Sequence, residues 1–193
     1  MKKKRPLVVN FIGAPGAGKS TLAAAVFAKL KMNGVSCELV DEYVKGAVWE
    51  DRMKIIQNQL YLLAKQYQKI ARVSDSVDII ITDSPIILGI YYNRRNAPDF
   101  DFDEKTFAPL VLNCYNAFNN LNFFVKRHYK YEAKGRYQSE EEAKNMEKEL
   151  INLNKQYNIK SIDVVSSEKT ADEIAEKLIE YVKNKKEEKW IIY

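Results

Sequence analysis

Two hydrophobic rhythms alternate along the chain. "PLVVNFIG" carries an apolar run, Leu7 to Ile12, closed by glycine, as in a central parallel strand covered on both faces. "KSTLAAAVFAKLKMNG" places helix formers at helical spacing and stops at Asn33-Gly34. "VSCELVDEY" reads as a second strand. From Trp49 to Val73 the pattern is helical, with Ile55, Ile56, Leu60, Leu63, Tyr67 and Ile70 recurring three or four apart. "VDIIITDSP" is a third strand halted by Pro85, "TFAPLVLNCYNAF" a helix and "LNFFVKR" a fourth strand. Ser139 and Glu142 form a capping box opening a helix from Glu140 to Tyr157. "KSIDVVSS" is a fifth strand, and Thr170 with Glu173 caps a last amphipathic helix carrying Ile174, Leu178 and Val182. Strands alternating with helices predict an α/β fold: a parallel sheet with right-handed crossovers and ligands at the carboxyl ends of its strands.

At 193 residues and 22.4 kDa the chain is read as one domain, 1–193, with neither an internal repeat nor a low-complexity linker. It is 46% hydrophobic and 30% charged, the balance of a soluble globular protein. No apolar run reaches bilayer length, and the basic head "MKKKR" leads directly into a strand, which argues against a signal peptide or a membrane partner. Cys37 and Cys114 lack ligand-like spacing and the chain has one histidine, His128, so a zinc site is not supported; two reduced thiols fit a cytoplasmic protein. The net charge of +5 suits a phosphate-rich partner, nucleotide or nucleic acid, although much of the excess lies in terminal lysines.

The densest chemistry lies in "GAPGAGKST", Gly13 to Thr21, which contains G-x-x-x-x-G-K-S. Successive backbone N–H groups must turn inward around a phosphate chain, and side chains would block that approach. The helix that follows presents its positive end to the anion. Lys19 reaches the terminal phosphates and the Ser20 hydroxyl suits Mg²⁺. The stretch Gly13, Ala14, Pro15, Gly16, Ala17, Gly18, Lys19, Ser20, Thr21 is therefore the candidate ATP cradle.

A carboxylate at a neighbouring strand end must orient the metal, and Asp83 in "DIIITDSP" supplies one; its competing role is a cap on the Ser84-Pro85 turn. Strand two ends in Asp41-Glu42, either of which could face an acceptor hydroxyl as general base, with Glu42 the first choice. "VKRHYKYEAKGRYQ" gathers Arg127, Lys130, Lys134 and Arg136 where a mobile lid, roughly 127–140, would close over the transferring phosphoryl group. Arg136 and Arg127 are its candidate catalytic arginines. The amides Gln57, Asn58 and Gln59 could read base edges, with Trp49 or Tyr43 stacking on a ring. Tyr91, Tyr92, Arg94 and Arg95 form a basic, aromatic cluster suited to an acceptor phosphate or single-stranded nucleic acid.

"GAPGAGKST", "DEY", "IIITDSP" and "KGRYQSEEEA" together resemble the small P-loop kinases of the nucleoside- and nucleotide-kinase group. The glycine loop is similar to that of nicotinamide riboside kinase-like ATP-binding domains, and the chain looks most like short ATP-binding proteins commonly encoded by tailed bacteriophages. The resemblance runs from about Leu7 to Val182. It implies a three-layer P-loop NTPase fold with a five-stranded parallel sheet, and ATP- and Mg²⁺-dependent phosphoryl transfer. It also implies a metal carboxylate at Asp83, an acceptor-facing Glu42 or Asp41, and lid arginines at Arg127 and Arg136. The acceptor would be a nucleoside, a nucleotide or a modified base within DNA, and a phage-encoded protein would act in the host cytoplasm. Deoxynucleoside kinases usually carry arginine after the third-strand carboxylate; here Ser84-Pro85 follows instead. The other functional classes are a P-loop ATPase and a nucleotide-gated nucleic-acid-binding protein. No glutamate follows Asp83 to prepare a hydrolytic water, which disfavours the ATPase.

Overall fold

The computed structural model describes residues 6–43, 57–96, 102–128 and 140–187. Within them, five strands alternate with six helices. The strands are β1 (Leu7–Ile12), β2 (Cys37–Val40), β3 (Ile79–Thr82), β4 (Asn119–Lys126) and β5 (Ile162–Val165). The helices are α1 (Lys19–Met32), α2 (Gln59–Val73), α3 (Leu88–Asn96), α4 (Glu104–Asn116), α5 (Glu140–Gln156) and α6 (Glu168–Glu187). All strand pairs are parallel, in the order β2-β3-β1-β4-β5.

Side-chain alternation along the strands divides the core in two. Leu7, Val9 and Phe11 of β1, with Ile79 and Ile81 of β3, pack beneath α1 and α6. Val8, Ile12, Ile80 and Phe124 face the opposite layer, which holds α2, α3, α4 and α5. Helices on both faces explain why β1 is buried along its whole length. Asn10 is the polar exception: its Nδ2 donates to Asn120 Oδ1 at 2.9 Å and to Asn122 Oδ1 at 3.0 Å. The Tyr115 hydroxyl also donates to Asn122 Oδ1, at 2.9 Å, so this buried ladder pins β1 to β4 in register.

Most predicted elements stand where the hydrophobic rhythm places them; two differ, and one helix was not predicted. The predicted Trp49–Val73 helix is seen as Gln59–Val73, its first part lying outside the described residues. Its buried stripe is Gln59, Leu63, Gln66 and Ile70, and Leu60 turns 41% of its surface to solvent. The last helix starts earlier than Thr170: Ser167 is the cap, its Oγ accepting from Thr170 N–H at 3.1 Å, and Thr170 lies inside the first turn. Helix α3 has no counterpart in the predicted pattern. The Ser139 half of the predicted capping box lies outside the described residues.

Candidate active site

The loop between β1 and α1 has the local geometry of an anion cradle. Gly16 and Gly18 hold φ of 83° and 92°, the left-handed region that side chains disfavour. A Cβ on Gly18 would stand 2.6 Å from Ser166 Cβ and 2.7 Å from its Oγ. One on Gly13 would meet the Val125 carbonyl oxygen at 2.6 Å. Ala14 and Ala17 are buried, sealing the loop onto the core, while Pro15, Gly16 and Gly18 are half-buried. The first hydrogen bond of α1 runs from Leu22 N–H to Gly18 O at 2.9 Å, so the first-turn amides have no acceptor within the helix. No side chain caps that end. Lys19 Nζ donates to Ala14 O at 3.1 Å, folding its ammonium back over the loop, and Ser20 and Thr21 are exposed on the first turn.

Around this loop the strand order decides what stands beside what. β3 lies against β1 and β2 against β3, so the glycine loop, Asp83 and Glu42 follow three consecutive strands. Strands are spaced about 4.8 Å apart, which sets roughly 10 Å between the loop and the β2 tip. That span accommodates a terminal phosphate and an acceptor oxygen. The register sets Asn10 and Val40 level with Thr82, so β2 and β3 end together while β1 runs on to Ile12 before the glycine loop. Thr82 is held by Gln66 Nε2 at 3.2 Å and accepts from Ser84 N–H at 3.1 Å, fixing the turn that carries Asp83. Asp83 Oδ1 is buried and accepts no hydrogen bond. A buried carboxylate oxygen without a donor suits a hard cation, with the Ser20 hydroxyl as the matching ligand on α1. Among the described residues no group of three or more His, Cys, Asp or Glu forms a metal cluster, so this pair is the candidate.

The two acidic residues that follow β2 diverge. Asp41 is 80% exposed at its side chain and ion-paired with Lys69 of α2 at 2.6 Å. Tyr43 also turns to α2, its hydroxyl 2.9 Å from that of Tyr61. The Glu42 charge acts electrostatically on Tyr92 of α3. Burial raises the Tyr92 phenol far above its ordinary pKa, and the Glu42 charge and Tyr91 push the same way, so Tyr92 stays a protonated donor. Arg127, just past β4, donates from Nη2 to Pro15 O at 3.4 Å, on the loop itself. Arg136, Lys130 and Lys134, and with them most of the predicted 127–140 lid, lie outside the described residues, as do Trp49 and the segment 44–56.

Other sequence candidates take different places. Asn58 caps α2, its Oδ1 accepting from Tyr61 N–H at 2.9 Å, and Gln59 is buried. Arg94 engages both oxygens of Glu104 and reaches Gln156 Oε1 at 2.8 Å. Arg95 divides between the Tyr91 hydroxyl and Glu142, each at 3.2 Å. The arginines that read as a grip for phosphate thus join α3 to α4 and α5. Tyr92 was grouped with them by sequence, and the influence of Glu42 on it emerges only in the fold.

A family model described as an AAA domain matches residues 8–172, from β1 into α6, and so takes in the glycine loop and all five strands. The chain belongs to this AAA-domain family. Its architecture is the α/β P-loop NTPase fold. Among solved structures, this AAA domain is similar to a NadR protein in complex with NR, at TM-score 0.68 and 17% identity, covering 89% of this chain and 51% of that one. A NadR protein in complex with NAD and AMP-PNP follows at TM-score 0.63 and 17% identity, covering 89% and 49%. The chain spans about half the length of these NadR structures, and at this identity the likeness is one of fold. No curated protein matches the chain. No helix among the described residues is long and apolar enough to cross a membrane.

Proposed function

We propose that this AAA domain is an ATP- and Mg²⁺-dependent phosphotransferase that moves the terminal phosphoryl group of ATP to a hydroxyl of a nucleoside- or nucleotide-like acceptor, free or within DNA. The observation that carries this reading is the row of three consecutive strand ends: the glycine loop after β1, the donor-less Asp83 oxygen after β3 and Glu42 after β2. In this reading the loop amides and Lys19 cradle the β- and γ-phosphates. Ser20 and Asp83 would hold Mg²⁺, which when bound neutralises charge on the phosphate oxygens. Phosphoryl transfer asks little covalent help of a protein, so positioning and charge stabilisation supply most of the catalysis. Glu42 takes the acceptor proton, since Asp41 is committed to Lys69. Arg127 lies beside the loop at Pro15, and Arg136 joins it when the lid closes over the γ-phosphate. The three-layer fold forms one catalytic domain, 1–193, with the lid at 127–140.

The test is transfer of labelled γ-phosphate from ATP across nucleosides, monophosphates and DNA. Glu42→Gln should lower kcat about 10²- to 10⁴-fold, the ordinary contribution of a positioned base, while Asp41→Asn stays within a few-fold. Equal ATP turnover with and without every acceptor would refute the reading and identify an acceptor-independent ATPase.

A further inference from the structure

At the amino ends of the strands, away from the glycine loop, the fold leaves a second cavity. It measures about 350 Å³ and lies between the last turns of α4 and α5 and the first residues of β4. Asn120 on its floor is level with Val8, five residues before Gly13. At about 3.3 Å per residue that sets the floor roughly 16 Å down the sheet from the glycine loop. Substrates of parallel sheets bind at the carboxyl ends of the strands, so this cavity is separate from the site proposed above. Its volume suits one small ring-bearing molecule.

The floor is held rigid by its own hydrogen bonds. β4 opens with "NNLN", and Asn120 and Asn122 share a face with Phe124, which is otherwise apolar core. Asn120 is fully used: it accepts from Asn10 Nδ2 at 2.9 Å and donates to the carbonyls of Tyr115 and Phe118 at 2.7 and 3.1 Å. Asn122 is not. It is 6% exposed, and its Oδ1 accepts from Asn10 Nδ2 and the Tyr115 hydroxyl. Its Nδ2 gives one N–H to Lys160 O at 2.8 Å, and the second remains for the cavity that Asn122 lines. Pinning β1 to β4 does not require that open donor, and a buried donor left unmade is costly.

The walls add flat apolar surface and further amides. Phe118 is set against Tyr67, their ring centroids 5.4 Å apart. The Tyr157 hydroxyl is committed to Glu104 at 2.6 Å, so Tyr157 offers the cavity its ring. Asn116, the last residue of α4, and Asn158 line the cavity where it meets solvent. Asn158 holds φ 53° just beyond α5, its N–H reaching Lys155 O at 3.3 Å. A carboxamide presents a donor and an acceptor side by side, which matches a heterocycle edge carrying the same pair. Flat rings gain further from aromatic neighbours.

We propose that this cavity is a second ligand site, taking a neutral, planar nitrogen heterocycle of the nucleobase class. The ring edge meets the amides of Asn122, Asn116 and Asn158, and its face meets Phe118 and Tyr157. Binding there involves no covalent step and does not depend on the phosphotransferase reading.

The experiment is a nuclear magnetic resonance titration of the full isotope-labelled chain with free adenine, cytosine and uracil, following backbone and side-chain amide signals. The expected result, for at least one base, is saturable shifts at Asn116, Asn122 and Asn158 with a dissociation constant of about 1 mM or tighter, the range open to so small a ligand. Asn158→Gly keeps the left-handed backbone and removes the amide, and Asn116→Ala keeps the helix. Each should weaken that base about two- to tenfold, the scale of one hydrogen bond. No saturable shift, or shifts only at Gly13–Thr21 and Tyr92, overturns the proposal. So does unchanged affinity in both variants. Ribose bound as tightly as the bases also overturns it, because recognition would then not rest on the ring edge.

Discussion

Gly18→Ala separates two physical reasons for one glycine. At φ 92°, ψ 16° an L-residue costs about 1–2 kcal/mol. The added methyl would also sit 2.6 Å from Ser166 Cβ and 2.7 Å from Ser166 Oγ, well inside ordinary contact. Overpacking of that kind costs about 1–3 kcal/mol. The sum, about 2–5 kcal/mol, should appear as a lower denaturant midpoint, a weaker affinity for an ATP analogue, or both, as the loop yields. Ser166→Gly removes both obstructing atoms, so the double variant should recover the steric share and keep the backbone share. A double-mutant cycle by urea unfolding at constant m, with calorimetric Kd for the analogue, should therefore return a coupling of about 1–3 kcal/mol. Gly13→Ala is the control. Its clash is with a backbone atom, the Val125 carbonyl oxygen at 2.6 Å, which no side-chain truncation relieves. Additivity of Gly18→Ala and Ser166→Gly within about 0.5 kcal/mol would refute the packing argument.

Four further outcomes follow from the site and its supports. Lys19→Ala should cut transfer by about 10²–10³-fold or more, with circular dichroism and unfolding midpoint unchanged, because the side chain serves the ligand; full activity would remove it from the mechanism. Asp83→Asn should abolish Mg²⁺-dependent turnover yet hold or raise the unfolding midpoint, since it removes a buried charge whose Oδ1 accepts no hydrogen bond; a marked loss of stability would show that the carboxylate is structural. Asn10→Leu removes the donor shared by Asn120 and Asn122, and should lower urea stability by about 2–4 kcal/mol; no change would show that the ladder is dispensable. The Arg94 guanidinium, and secondarily the Tyr157 hydroxyl, hold the Glu104 carboxyl below its ordinary pKa. A carboxyl with a lowered folded pKa adds stability above its unfolded value and loses it as pH falls through the folded one. Wild type should thus exceed Glu104→Gln in midpoint at pH 7, and the gap should close as pH falls below about 4; a gap independent of pH would count against the ion pair.

The nucleotide half of the proposed site is legible in the sequence because it is local. Nine consecutive residues, Gly13 to Thr21, carry both the backbone freedom and the side chains that an anion cradle uses, and a strand before and a helix after were plain from hydrophobic rhythm. The same rhythm marked all five strands; burial on both faces gives β1 and β3 their apolar runs, while the edge strand β5 is largely exposed. Helix α3 escaped because it is short, and Gly89 and two exposed arginines break its periodicity. Ser167 was passed over for Thr170 because both positions offer a hydroxyl, and only the hydrogen bond to Thr170 N–H tells the cap from the first turn.

The proposed acceptor half is not local. Asp41 and Glu42 are neighbours of like chemistry, and composition could rank but not separate them; the fold does, by pairing Asp41 with Lys69 while the Glu42 charge acts on Tyr92. Arg94 and Arg95 looked available for phosphate because their carboxylate partners lie 10 and 47 residues away. Sequence determined the layers, the cradle and the charges to be placed, because backbone conformation and burial are written in short windows. Tertiary structure alone decided which charges remain open to a ligand, because neutralising an ion takes a partner within a few ångströms, wherever in the chain that partner lies.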